Sequence, residues 1–195
     1  MAAYSERYDA ALTFAARAHR NQMRKAGDVP YIVHLVHVSV ILLRYGFSED
    51  VTIGGLLHDA VEDQNVPLAH IKASFGPAVA EMVAALTERK RDGTLERPWE
   101  DRKQEMLDQL RRASLDAVAV KAADTLHNTR SVALCLRRSG PSIWGNFKRG
   151  PGPSLWYYRS VAAIVHERLG VHPLADELDA AVGDLAQAIA ETGAP

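Results

Sequence analysis

Apolar residues recur three and four positions apart along almost the whole chain, and short Gly, Pro and Asp stretches separate the runs. That spacing lays a stripe along one face of an α-helix. No segment shows the two-residue alternation of a half-buried strand bounded by turn residues. The pattern predicts an all-α chain, a helical bundle whose stripes are buried against one another. In the first helix, roughly residues 5 to 22, Tyr8, Leu12, Ala15 and Ala18 share a stripe. Residues 25–29 break it, and Pro30 suits the first turn of a second helix ending before Gly46. Ser48 with Asp50 starts a third helix that reads into VTIGGLLHDAVED, Pro67 opens a short one, and another runs from Gly76 and Pro77 to about Leu86. The charged stretch Glu88 to Pro98, with a glycine inside, reads as a mobile surface loop. Helices near Trp99 to Arg112 and Leu115 to Arg138 follow. GPSIWGNFKRGPGPS is then the longest irregular segment, a length that in a compact domain is often functional. Helices near Leu155 to Leu169 and Pro173 to Glu191 close the chain.

Length and charge bound the possibilities. A chain of 195 residues fits one domain, 1–195, with a core large enough to need no disulfide or structural metal. The net charge of −1 argues against a nucleic-acid binder with a basic face, and leaves room for a local basic pocket that takes a small phosphorylated molecule. Cys135 is the only cysteine, so an internal disulfide is excluded and a reducing, cytoplasmic compartment fits. The N-terminus lacks an apolar signal core and no window holds 18 consecutive apolar residues, so no membrane partner is expected. A homo-oligomer stays open.

The densest chemical signal is His58-Asp59-Ala60-Val61-Glu62-Asp63, which follows Ile53, Leu56 and Leu57 without a break. On one helix, His58 and Glu62 would share a face, as would Asp59 and Asp63. Burying such a set costs several kcal/mol, of order that of any uncompensated buried charge, unless a cation or buried partners neutralise it. Taken alone, the run fits a metal site and a helix end turning into solvent equally well. His34 stands among Ile32, Val33, Leu35 and Val36, with His37 nearby. Asp124 follows the apolar Val118, Val120, Ala122 and Ala123, and Asn128 lies one turn later with His127 beside it. Two histidines and two aspartates from three helices would suit Mn²⁺, Fe²⁺ or Zn²⁺ with open water positions. Spacing alone does not make the four converge.

The segments AARAHRNQMRKAGDVPYIVH, GGLLHDAVED, FGPAVAEMVAALTERK, PWEDRKQEML, VKAADTLHNTRS and SIWGNFKRGPGPSLWYYRS occur in an order that resembles the hydrolase domain of RelA/SpoT homologues, within the HD-domain phosphohydrolases. The closest group is the stand-alone small alarmone hydrolases, and the likeness covers most of residues 8 to 160. It implies an HD-domain helical bundle with a metal site between helices. It implies that His34, His58, Asp59 and Asp124 bind the metal, usually Mn²⁺. Glu62 and Asp63 match the acidic pair that orients or activates the attacking water. Arg24 and Lys25 match basic residues on the substrate's phosphates, and Asn128 and Ser131 match positions lining the nucleoside pocket. Without the resemblance, Arg24 and Lys25 read as a solvated helix end. His37 and His127 are read as structural neighbours. Trp144, Trp156, Tyr157 and Tyr158 are read as core or loop packing.

The activity the resemblance implies is metal-dependent hydrolysis of the 3′-diphosphate of (p)ppGpp, giving GDP or GTP and pyrophosphate. Adenosine alarmones, the 2′-phosphate of NADPH, and a non-catalytic nucleotide-binding module are the other readings. Leu35, Thr125, Ala122 and Asn21 depart from the family pattern, and none of these changes removes a ligand or an acidic residue. Thr125, where arginine is common, bears on substrate preference. The length leaves no room for a nucleotide-synthesising domain.

Overall fold

The structure is a computed structural model and describes residues 5–25 and 28–193. In chain order the helices are α1 (Glu6–Ala18), α2 (Ile32–Arg44), α3 (Glu49–Leu57), α4 (Ala60–Gln64), α5 (Leu68–Phe75) and α6 (Pro77–Leu86). A short antiparallel pair follows, β1 (Arg91–Asp92) and β2 (Leu95–Glu96). The rest is α7 (Trp99–Arg112), α8 (Leu115–Ser139), a 3₁₀ turn (Pro141–Asn146), α9 (Pro151–Leu169) and α10 (Pro173–Glu191). Side-chain caps fix several starts. Ser5, Ser48 and Ser114 each accept a hydrogen bond from the amide three residues on, which satisfies one of the donors a helix N-terminus leaves open.

The centre of the bundle is α3. Every residue from Val51 to Leu57 is buried, because α3 packs against α1, α2, α6 and α8 at once. Such a helix cannot carry a polar face, which is why this segment is apolar and glycine-rich with no stripe. Gly55 is where α2 comes closest. A Cβ there would stand 2.7 Å from Leu42 Cδ1 and 3.3 Å from Val38 Cγ1. A second apolar cluster joins Val132, Leu136, Ile143, Trp144 and Leu185, and fastens the 3₁₀ turn between α8 and α10.

Four local expectations change. The first helix ends at Ala18. Residues beyond it fold back through a Met23–Pro30 bridge, with the Tyr31 amide donating to the Gln22 carbonyl, 2.9 Å. Arg24 and Lys25 therefore sit on this turn-back, not on a helix end. The HDAVED run is two helices, broken at His58–Asp59, where the His58 imidazole donates from Nδ1 to the Gly55 carbonyl, 2.9 Å. That bond satisfies a carbonyl that a helix end leaves without an amide partner. The charged stretch after Glu88 is a hairpin, not a featureless loop: Asp92 pairs with Leu95, and Gly93 takes φ +58° at the first position of the two-residue Gly93-Thr94 turn between β1 and β2. The long irregular segment holds the 3₁₀ turn, and α9 starts at Pro151, four residues before the expected Leu155.

Filling the close approach at Gly55 should destabilise the chain. Gly55→Val is expected to cost about 1–3 kcal/mol, read as a lower urea midpoint with unchanged slope.

Candidate metal centre and cavity

Where α3 emerges from the core, His58 and Asp59 meet His34 from α2 and Asp124 from α8. His34, His58 and Asp124 are buried and Asp59 is half-buried. The atoms converge. His34 Nε2 lies 3.2 Å from Asp124 Oδ1 and 3.9 Å from Asp59 Oδ2. His58 Nε2 lies 3.0 Å from Asp59 Oδ2 and 3.7 Å from Asp124 Oδ1. One ligand atom each from His34, His58 and Asp59 falls within 4.8 Å of the others.

The donor set fits a divalent cation. Because the Gly55 carbonyl can only accept, His58 Nδ1 carries the proton and Nε2 is left to face the cluster. That Nε2 is buried and, among the described residues, has no well-aligned hydrogen-bond partner, although Asp59 Oδ2 lies 3.0 Å away. His34 Nδ1 lies 2.7 Å from His127 Nδ1, so with its proton on that side its Nε2 also presents a lone pair to the same point. Two imidazole nitrogens and two carboxylates make a site of borderline softness, suited to Mn²⁺, Fe²⁺ or Zn²⁺.

The neighbours hold each member in place. Tyr31 donates its hydroxyl to Asp59 Oδ2, 2.6 Å. Lys121 pairs with Asp124 Oδ2 at 2.8 Å, and Asn128 donates to Asp124 Oδ1 at 2.6 Å. Burial opposes charge throughout, and at His58 and Asp124 the pairs outweigh it. With no cation bound, Asp59 and Asp124 hold the His58 pKa well above its ordinary value, so a metal would take the place of the Nε2 proton. Lys121 and the two histidines hold Asp124 well below the usual carboxylate range. His34, where burial dominates, is lowered. Burial, with the charges of His34, Arg24 and His37, pushes His127 down to about 3. A neutral His127 can accept from His34 Nδ1, and its ring stacks on His37 at 4.7 Å.

Glu62 and Asp63 follow on α4. Glu62 Oε2 accepts the Glu88 amide at 2.9 Å, and Glu62 Oε1 lies 3.0 Å from Lys90 Nζ. Asp63 Oδ1 lies 2.7 Å from the same ammonium, and Asp63 Oδ2 accepts from Gln22 at 2.8 Å. Burial, followed by the charges of Asp59 and Glu88, raises the Glu62 pKa. That is the direction a general base near neutral pH requires.

Both groups open onto a cavity of about 690 Å³. Arg24, Lys25, Asn128 and Ser131 line it, as do Thr125, Lys103 and Lys148. Arg24 donates to Asn128 Oδ1 at 2.9 Å. Lys25 is exposed as a residue but faces the cavity. Desolvation by the cavity wall, then the like charges of Lys103, Lys90 and Lys148, lower its pKa. Tyr157 is buried in the wall with Lys103 over its ring at 4.5 Å, and Trp144 lies in the second apolar cluster.

The sequence reading missed Tyr31, Lys90, Gln22 and the role of His127. His127 had a signal, since it stands three residues after Asp124 and so leans toward the same side of α8. The Lys121–Asp124 pair was legible on the same spacing. Lys90 and Gln22 reach Asp63 from 27 and 41 residues away, and no local pattern announces that.

The fold is a helical bundle, and its site gathers two histidines and two aspartates with the donor chemistry of a metal centre. A family model described as HD domain matches residues 11–146, and the chain belongs to the HD domain family. Human guanosine-3′,5′-bis(diphosphate) 3′-pyrophosphohydrolase MESH1 is 38% identical over 141 residues, 71% of this chain and 74% of that protein. A probable chloroplastic GTP diphosphokinase of rice, RSH3, is 38% identical over 126 residues. That match takes in 60% of this chain and spans 17% of the rice protein's length. Among solved structures, a metazoan orthologue of SpoT superposes with a TM-score of 0.74 at 26% identity, over 93% of this chain and 96% of its own. That orthologue is described as hydrolysing ppGpp and playing a role in starvation responses.

Two measurements follow from His127. His127→Ala removes the group that orients His34 and should weaken divalent-metal binding about 10- to 100-fold, read by calorimetry. In the metal-free chain, the unfolded imidazole takes a proton near 6.5 and the folded one only at about 3. The unfolded state thus binds more protons in that window, and stability falls as pH drops through it. His127→Gln should flatten this fall, measured by urea unfolding at neutral pH and about pH 5.

Proposed function

We propose that the chain hydrolyses the 3′-diphosphate of (p)ppGpp, with a divalent metal held by His34, His58, Asp59 and Asp124. The observation that carries the reading is the meeting of those four side chains beneath a cation-lined cavity, with a carboxylate pair beside them. The names borne by the similar human and metazoan proteins support the substrate. Mn²⁺ is the ion we assign, on the mixed imidazole and carboxylate donors.

When bound, such an ion acidifies water and stabilises negative charge on the attacked phosphoryl group. The residues of the chain do the rest. Arg24 and Lys25 hold the diphosphate, and Asn128 and Ser131 face the nucleoside. Glu62 or Asp63 takes the proton of the attacking water, whose oxygen bonds to the phosphorus nearest the ribose. The bond from that phosphorus to the ribose 3′-oxygen breaks, the 3′-oxygen is protonated, and pyrophosphate leaves with GDP or GTP remaining.

The substrate is a small nucleotide, and the near-neutral charge supports no role for nucleic acid. Among the described residues no helix is long and apolar enough to cross a membrane. A single cysteine supports a cytoplasmic setting.

Incubating the Mn²⁺-loaded chain with ppGpp should release pyrophosphate, and no release from fully loaded protein would overturn the reading. Parallel reactions with adenosine alarmones and NADPH measure base and phosphate preference. Asp124→Ala should lose Mn²⁺ binding and turnover together. Glu62→Gln should keep Mn²⁺ and lose about 10²- to 10⁴-fold in kcat, the range of general-base catalysis. Lys25→Ala should act mainly on KM.

A further inference from the structure

Among the described residues, Lys90 is the one side chain that pairs with both members of the carboxylate pair. Its ammonium lies 3.0 Å from Glu62 Oε1 and 2.7 Å from Asp63 Oδ1. Among the described residues it is the only cation within ion-pair distance of either. The outer oxygens are held as well: Glu62 Oε2 by the Glu88 amide at 2.9 Å, and Asp63 Oδ2 by Gln22 at 2.8 Å. All four oxygens of two adjacent carboxylates are thus fixed, with Lys90 as the middle tie.

The tie is anchored from behind. The Glu88 side chain is 6% exposed and bonds Arg102 at 3.0 Å and also Lys103, both on α7. The Arg97 amide donates to the Lys90 carbonyl at 3.0 Å, and the Arg97 guanidinium pairs with Glu105, again on α7. Gln22 is braced in turn. Its Oε1 accepts from His19 Nδ1 at 2.6 Å and from Gln64. The root of the β1–β2 hairpin is therefore built onto α7, and it delivers one ammonium and one amide to the pair.

From this arrangement we propose that Lys90 is a positioning residue for the hydrolytic step, holding Glu62 and Asp63 charged, parallel and aimed into the cavity. The proposal rests on the function assigned above. Two neighbouring carboxylates repel each other, and without a shared cation they would splay apart or one would take up a proton. Lys90 removes both outcomes while its exposed side leaves the cavity open. It acts through Glu62 and Asp63, so its loss should appear in the chemical step and not in substrate binding.

The test is a set of four full-length proteins, wild type, Lys90→Met, Glu62→Gln and the double variant, with Lys90→Arg as the conservative rescue. With Mn²⁺ and ppGpp, Lys90→Met should lower kcat about 10- to 100-fold, the size expected when a reacting group is misplaced by about 1 Å. KM and Mn²⁺ affinity should hold, and Lys90→Arg should recover most of the rate. In the Glu62→Gln background, Lys90→Met should cost little more, because the group it positions is already gone. A raised KM with kcat kept would make Lys90 a phosphate ligand and overturn the proposal, as would losses that multiply in the double variant. Urea unfolding of the same four proteins judges the tie without using activity. Coupled shifts in midpoint support it, and additive shifts overturn it. A wild type that releases no pyrophosphate would sink the assigned function, and the unfolding cycle would still decide whether Lys90 grips Glu62.

Discussion

Charge compensation at the end of an all-apolar helix is the constraint on which the rest of the structure depends. α3 is buried on every side, so its last turn delivers His58 and Asp59 to the middle of the bundle, where uncompensated charge is costly. The cost is met locally. Lys121 pairs with Asp124, Tyr31 donates to Asp59, and the imidazoles of His34 and His58 face both carboxylates. Each partner comes from, or directly flanks, a helix that also supplies core residues, so the packing that buries α3 places the polar groups by the same contacts.

That coupling explains how far the fold and the site could be read from the sequence. The bounds of α7 and α10 follow from apolar spacing and a proline or glycine at the edge, because such amphipathic helices encode their own face. The break inside HDAVED was not legible. Helical spacing runs straight through it, and the bend depends on His58 reaching back to Gly55 while α2 crowds the same glycine. His34, His58, Asp59 and Asp124 could be picked out as polar residues in apolar surroundings, but their convergence comes from the packing of α2, α3 and α8. Lys90 looked like one more charge in a surface stretch, because its two partners lie on another element and only the hairpin brings it to them.

The near-neutral composition conceals a strong separation of charge. Carboxylates gather at the floor of the cavity and at α4, while Arg24, Lys25, Lys103 and Lys148 stand along the wall. Several of these cations already have protein partners. Lys103 serves Glu88, Lys148 pairs with Glu96 and Arg24 holds Asn128. A polyanion entering this cavity would have to compete for its contacts as well as shed water.

His34 and its partner His127 lie 93 positions apart, and the break at His58–Asp59 falls between them. No short stretch of the unfolded chain can bring these groups together. Any cation that prefers the assembled cluster must then draw the whole bundle toward its native state, since closing those loops and forming the site are a single event. The supply of metal ions would then add to the stability of the fold, quite apart from how fast the chain works.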